Sequence, residues 1–339
     1  MESENQESPN RTRKYWIYLV LILILVDLVD QYNTNYINTF PSLVIAEFLS
    51  EYSVEEGAAI YAFCVGIATF GMYFVFINQY LADKFGRKIM LAISSLGLGL
   101  SSLFLALSTD IVQFTIALFL VYIFFSSDMW LIYIGEEAPP EKRAYWTNIV
   151  LATGVLGPVL IPIFRTIFIT DTYQNWRGMT IFPIVLGIPL GILVLLTIKE
   201  TCHYEDIKNC RDEDGELLTI YFKENVKALF NSPRRKEFNM ILLMSFIVGL
   251  NYAFITLGEN YIATSSNLDQ SQINIIIYCI AFSVIAGYIS TGILADKLGR
   301  KPMLYFHTLL LLGCGLTPYN CGDCPHRQTG NGERNESTN

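Results

Sequence analysis

Charge is scarce in this chain: 16% of its 339 residues are Asp, Glu, Lys or Arg, against 52% hydrophobic ones, and mean hydropathy is +0.39. That balance excludes an ordinary water-soluble enzyme and describes a protein whose solvent is the lipid bilayer. Histidine is nearly missing, and His203, His307 and His326 share no spacing. No nucleophile and base constellation, Walker loop or dinucleotide fingerprint occurs, so no enzyme and no cofactor is implied. Of seven cysteines, Cys64 and Cys279 lie in apolar runs, Cys202 and Cys210 in a basic loop, and Cys314, Cys321 and Cys324 near the end. None falls in an outer loop, which removes a disulfide framework. Cys321-Gly322-Asp323-Cys324-Pro325-His326 has half the spacing of a metal knuckle, and without a second ligand pair no metal site is expected. A cleavable signal pattern is absent too, because the first apolar run is too long and lacks a small-residue cleavage site.

Long apolar runs take the place of these features. They fall at about 15–38, 56–79, 88–109, 111–135, 145–168, 178–198, 239–263, 271–293 and 302–316. Most reach the ~20 residues that span a bilayer; the last does not. The net charge of -8 misleads, because the two signs are sorted by side, and no nucleic-acid partner follows from it. Nineteen of the 23 Lys and Arg lie in the N-terminal tail and in alternate loops. The other side receives Arg165 and Arg177, beside acids such as Glu51, Glu55, Glu56, Asp110 and Asp171. By the positive-inside rule the N-terminus is cytoplasmic and helix 1 runs outward, in a multi-pass protein of the plasma membrane.

The expected organisation is a cytoplasmic tail at 1–14, a six-helix bundle at 15–198, a cytoplasmic central loop at 199–238, a partial second bundle at 239–316 and a polar tail at 317–339. In the loop, Leu218, Tyr221, Phe222, Val226 and Leu229 recur at helical spacing, which suggests an amphipathic helix on the inner surface. After Leu316 no apolar run remains, so the second bundle is expected to be incomplete, with about nine membrane helices and a non-native ending. Asn335-Glu336-Ser337 matches a glycosylation sequon by chance.

Two stretches repeat within the chain, Gln79-Tyr80-Leu81-Ala82-Asp83-Lys84-Phe85-Gly86-Arg87-Lys88 and Gly292-Ile293-Leu294-Ala295-Asp296-Lys297-Leu298-Gly299-Arg300-Lys301. They agree at seven positions, and each joins one apolar run to the next. A tight loop between membrane helices needs Gly for the turn, cations for the headgroup side and an acid to pair with them. In this the chain resembles the major facilitator superfamily, whose loop motif, Gly-x-x-x-Asp-Arg/Lys-x-Gly-Arg/Lys-Arg/Lys, follows helices 2 and 8. The second copy matches at Gly292, Asp296, Lys297, Gly299, Arg300 and Lys301, and in the first Gln79 replaces the opening Gly. The resemblance covers roughly residues 10–316. It implies an all-α membrane fold of two six-helix bundles that moves solutes by alternating access.

Helix 1 holds the residues most suited to chemistry: Asp27, Asp30, Gln31, Thr34 and Asn38 lie along one helical stripe. Asp27 is about 18 Å beyond Tyr15 at 1.5 Å per residue, close to the middle of the membrane. A carboxylate there costs roughly 2.5 kcal/mol or more unless it meets water, a partner or a proton. The stripe is therefore read as facing a polar pathway for protons or substrate, with buried acids paired for structure as the other reading. Asp128, in helix 4, either pairs with Arg87 or lines the pathway, and the pairing is favoured. Arg165, near the outer end of helix 5, is expected to snorkel toward the headgroups.

Glu136, Pro139 and Arg143 resemble the Glu-x-x-Pro-x-x-x-Arg segment of sugar-porter facilitators. In that family the acid and the Arg join the loop motif in inner-side salt bridges, which implies a gate of Asp83, Arg87, Lys88, Glu136, Arg143, Asp296, Arg300 and Lys301. Gly249-Leu250-Asn251 resembles the family's Gly-x-Asn, so Asn251 is a candidate for lining the site. The family's sugar-binding Gln positions are Ser245, Phe246 and Leu151 here, and a hexose with many hydroxyls is not supported. Lys199-Glu200-Thr201 faintly resembles Pro-Glu-Ser-Pro-Arg. Gly154-Val155-Leu156-Gly157-Pro158 is similar to the antiporter Gly-Pro motif, although such a pair more often marks a bend or close contact. The expectation is a secondary transporter of a small organic solute, coupled to protons. The alternatives are a drug/proton antiporter and a nontransporting facilitator fragment.

Overall fold

In a bilayer every backbone N–H and C=O must be satisfied within the chain, and a helix does this locally. The computed structural model of the chain describes residues 12–125, 128–139, 142–205, 235–265, 268–299 and 301–310. Among these the secondary structure is helical, apart from a lone antiparallel bridge between Ile169 and Gln174. Helix α1 (Arg13–Tyr36) starts at Thr12, whose hydroxyl accepts the Tyr15 amide at 3.4 Å, and runs on through a 3-10 turn at Ile37–Thr39. Pro41, whose missing N–H is no loss in a first turn, then opens the short α2 (Pro41–Phe48).

A capping box starts α3 (Val54–Thr69): Ser53 accepts from the Glu56 amide and the Glu56 carboxylate accepts from that of Ser53. A 3-10 turn at Phe70–Phe74 links α3 to α4 (Val75–Phe85) in a single span. Gly86, at φ 108°, ends α4 and turns the chain directly into α5 (Arg87–Leu107). Next come α6 (Ile111–Phe125) and α7 (Met129–Glu137), then α8 (Arg143–Gly154) and α9 (Leu156–Phe168), and then α10 (Ile181–Thr197). The later helices are α11 (Arg235–Ser265) and α12 (Gln270–Leu298), and residues 301–310 are helical.

Among the described residues, seven stretches are long and apolar enough to cross a membrane. They coincide with the first six expected runs and with the eighth. The seventh run lies within α11, and the ninth begins in the helical residues 301–310. The all-helical membrane architecture is as expected. The loop helix expected at Leu218–Leu229, Cys210, the tail 317–339 with Cys321, Cys324 and its sequon, and most of the tail 1–14 lie outside the described residues.

Two apolar cores hold the first six spans. One, around Tyr32, Phe40, Phe114 and Trp176, lies at the end where α1 finishes; the other, around Leu23, Leu91, Tyr133 and Val194, lies nearer where α1 begins. Glycine lets α5 and α10 pack closely: a Cβ on Gly191 would come within 2.8 Å of the Leu96 amide nitrogen. The chain groups into two compact units, Met1–Ala228 with Thr256–Gly287, and Leu229–Ile255 with Tyr288–Asn339. The last part of α11, from Thr256, and the first part of α12, to Gly287, thus belong with the first unit.

Candidate functional site

Helix α1 carries its carboxylates inside the bundle. Asp27 is 0% exposed and Asp30 is 5% exposed, although both are charged side chains in an apolar span. Gln31 donates to Asp27 Oδ1 at 3.3 Å, while Oδ2 is buried with no hydrogen-bond partner among the described residues. The reason that Asp27 fits is glycine in the facing span. A Cβ on Gly154 would stand 1.9 Å from Asp27 Oδ2, and one on Gly157 would stand 2.8 Å from the Leu28 carbonyl oxygen. The Gly-Val-Leu-Gly-Pro motif therefore acts as a close contact with α1 and makes the recess that the carboxylate fills. Thr34 spends its hydroxyl on the Asp30 carbonyl at 2.9 Å, and Asn38 is buried in the 3-10 turn with an unpartnered Oδ1. Asn33, not singled out in the sequence, accepts from Ser102 at 3.0 Å and ties α1 to α5.

Asp128 lies between α6 and α7 in the left-handed region, at φ 42° and ψ 32°, with its side chain exposed. Asp tolerates this conformation better than most residues. It stands within electrostatic reach of both Asp27 and Asp30. The pairing expected between Asp128 and Arg87 is not formed. Arg87 sits at the first position of α5, where its guanidinium is taken up by Glu136 at 3.0 Å, Asp83 at 2.9 Å and the Ala82 carbonyl at 3.2 Å.

Three of the expected gate residues thus meet: Asp83, Arg87 and Glu136. Lys88 joins through its backbone, whose N–H donates to Glu200 Oε1 at 3.0 Å. Arg143 is exposed at the start of α8, and among the described residues it makes no ion pair with this group. In the second copy of the motif, Gly299 turns the chain at φ 90° as Gly86 does in the first, and Lys301 is exposed. Arg300 and the side chains of Asp296 and Asn251 lie outside the described residues.

The segment after α10 completes this end, which the sequence suggested only through a faint likeness at Lys199-Glu200-Thr201. Glu200 caps the start of α5, where the helix dipole favours an anion. Thr201 donates to Glu136 at 2.7 Å, the Cys202 amide to Glu137 at 2.7 Å, and Tyr204 to the Lys84 carbonyl at 2.9 Å. Arg87 lies over the Tyr204 ring at 5.4 Å, and Tyr133 donates to the Lys199 carbonyl. An acid closely following the sixth run was the available signal.

The opposite end corrects a second expectation. Arg165 does not snorkel: it is 0% exposed, because polar acceptors surround it inside the bundle. Its Nε donates to the Thr39 carbonyl at 2.8 Å, and Nη2 donates to Glu259 Oε1 and Gln270 Oε1, both at 3.1 Å. Nη1 donates to Asn274. Glu259, likewise buried, also accepts from the Ser42 amide at 3.0 Å and the Ser42 hydroxyl at 2.7 Å. Asn274 in turn donates to the Ile169 carbonyl at 3.0 Å. Just outside, Asp171 accepts from the Ser271 hydroxyl at 2.6 Å, and these bonds hold its carboxyl below the usual carboxylate range. Glu259 is the sole charge in the run 239–263, which was the clue the sequence offered.

Comparison with known proteins agrees with this architecture. The family profile described as "Major Facilitator Superfamily" matches residues 17–317. The chain is 26% identical over 285 residues to the arabinose-proton symporter of Bacillus subtilis, covering 74% of this chain and 59% of that protein. It is 22% identical over 291 residues to the proline/betaine transporter of Salmonella typhimurium, covering 79% of this chain and 56% of that one. Against the probable hexose phosphate transport protein of Chlamydia pneumoniae it covers 43% of the relative's length. The chain therefore spans roughly half of the curated relatives it matches. Among solved structures, a partially occluded inward-open form of the xylose transporter XylE from E. coli superposes with a TM-score of 0.65 at 17% identity. That match covers 85% of this chain and 73% of the other. With the repeated loop motif, the helical spans and the profile match in agreement, this chain belongs to the major facilitator superfamily.

Proposed function

We propose that the chain forms the solute pathway of a secondary transporter that moves a small polar organic solute by alternating access, driven by protons taken up on Asp27 and Asp30. One observation carries this reading: Asp27 is fully buried on α1, with one carboxylate oxygen unpartnered and Gly154 against it. A buried carboxylate without a cation is far less costly when it holds a proton, so its protonation responds to whether the pathway admits water. Asp30, Gln31 and Asp128 are the pathway groups nearest to it in this account, with Thr34, Asn38 and Asn251 lining it elsewhere. The cluster of Asp83, Arg87 and Glu136, with Asp296, Arg300 and Lys301 in the second motif, serves as the gate at the loop-motif end. Ion pairs suit a gate because they hold one state and break in the other.

The cation-rich loops support a reading in which that end and the N-terminus face the cytoplasm across the plasma membrane. The relatives' names include pentose, disaccharide and proline/betaine carriers, which supports a small polar solute. The sugar-porter Gln positions are replaced by Ser245, Phe246 and Leu151, which argues against a hexose. The test is uptake of labelled pentoses, proline and betaine into proteoliposomes under an imposed pH gradient. Wild-type protein should accumulate one of these solutes when the gradient is present. Asp27→Asn with Asp30→Asn should abolish accumulation while leaving exchange of solute across the membrane. Unchanged gradient-driven uptake in the double variant would rule out proton coupling through helix 1. Extrusion of lipophilic cations from everted vesicles, in place of uptake, would favour the antiporter reading.

A further inference from the structure

The end of the bundle remote from the loop motif holds a second charged device. Arg165 and Glu259 form an ion pair with side chains 0% and 3% exposed, so both charges are withdrawn from water and from lipid. Their ligands come from both sides of the central loop. Thr39 and Ser42 belong to the turn after α1 and to the start of α2, Arg165 to α9, Glu259 to α11, and Gln270 and Asn274 to the first turns of α12. The Asp171 and Ser271 contact repeats the same pairing of segments at the rim.

A buried ion pair is a weak way to stabilise a fold, since apolar side chains of similar size do as well or better. It is a strong way to hold two discrete arrangements apart, because removing either partner leaves the other charge buried and unpaired. The guanidinium here has four separate acceptors: one main-chain oxygen from the turn after α1, two oxygens from α12 side chains and one from α11. No single segment can withdraw without breaking several bonds at once. We infer that Arg165 and Glu259, with Ser42, Gln270 and Asn274, are a latch that holds this end of the pathway shut and releases as one unit when the end opens. This rests on the transport reading for what the latch is for, but the latch can be measured without any transported solute.

The measurement is a distance distribution by pulsed electron spin resonance in nanodiscs. Spin labels are placed on Tyr52→Cys, in the exposed turn between α2 and α3, and on Ile275→Cys, which is exposed on α12, with the seven native cysteines replaced. The unsubstituted latch should give one short population. Glu259→Gln keeps the size of the side chain and removes the charge that Arg165 needs. It should add a discrete longer population, shifting the closed-to-open ratio by on the order of a hundredfold. Ser42→Ala, which leaves the ion pair intact, should give a smaller shift to the same longer distance. The inference is overturned if neither variant adds a longer population in monodisperse protein, or if both merely broaden the short one as local disorder would. A longer population in a protein that accumulates no solute would refute the transport reading and leave the latch standing. Proton-driven uptake with unmoved distances would do the reverse.

Discussion

Replacing Gly154 by Ala is a one-carbon test of whether Asp27 sits where the structure places it. The new Cβ would lie 1.9 Å from Asp27 Oδ2, 2.5 Å from Cγ and 3.0 Å from Oδ1, against the roughly 3.5 Å of an unstrained contact. The carboxylate must therefore move by more than an ångström, and little room exists, since its other oxygen is held by Gln31. Turning Asp27 off its rotamer costs about 0.5–1.5 kcal/mol, and losing the Gln31 bond costs about 0.5–1.5 kcal/mol more. Alanine is intrinsically better than glycine in a helix by about 0.5–1 kcal/mol, which offsets part of this. The net expectation for Gly154→Ala is a loss of about 1–2 kcal/mol. In an Asp27→Ala background the same change should be neutral or stabilising, because the atoms it would strike are gone. Equilibrium unfolding in mixed micelles of the wild type, both single variants and the double variant gives the coupling directly. A coupling above about 1 kcal/mol is expected. Additivity within about 0.5 kcal/mol would mean that Asp27 does not occupy the Gly154 recess, and the proton-site argument would lose its geometric basis.

At the loop-motif end, Glu136→Gln should destabilise the chain by about 2–4 kcal/mol in the same assay, because it leaves the largely buried Arg87 with the mostly exposed Asp83 as its remaining ion-pair partner in this cluster. Asp83→Asn should cost no more than about 0.5 kcal/mol, since that carboxylate is mostly exposed. Equal costs for the two would refute the assignment of Glu136 as the principal partner. Gly86→Ala combines a left-handed backbone position with a Cβ 2.2 Å from Glu200 Oε2, and should cost about 1–3 kcal/mol for the backbone alone. Removing the clash with Glu200→Ala should recover only the remainder. At the far rim, the folded state depresses the Asp171 carboxyl through Ser271, so its contribution is fully present above the unfolded value and is lost as pH falls through the folded one. Melting temperatures of wild type and Ser271→Ala should therefore differ at neutral pH and converge in acid; a constant gap would exclude the linkage.

Much of this protein is written in local pattern. The spans could be read from hydrophobic runs because a bilayer forces each to be a helix of known length, whatever it packs against. The turns at Gly86 and Gly299 were legible from the repeated motif, since a tight return between helices needs a residue free to adopt positive φ. The stripe of Asp27, Asp30 and Gln31 followed from helical periodicity alone. What lies across from a residue was not available in this way. Arg165 looked like a snorkelling cation because sequence gives its depth and not its neighbours; the acceptors that bury it come from residues as far away as Asn274. Asp128 looked like a partner for Arg87 because both are charged and near the inner side. Tertiary packing instead gave Arg87 to Glu136 and brought Asp128 near Asp27 and Asp30. Glycines 154 and 157 read as a bend or a close contact, and only the facing helix shows that the contact makes a recess for a carboxylate. Periodicity and solvent fix which side chains are apolar and how deep they sit, while the pairing of buried charges depends on long-range contacts that no single stretch of sequence contains.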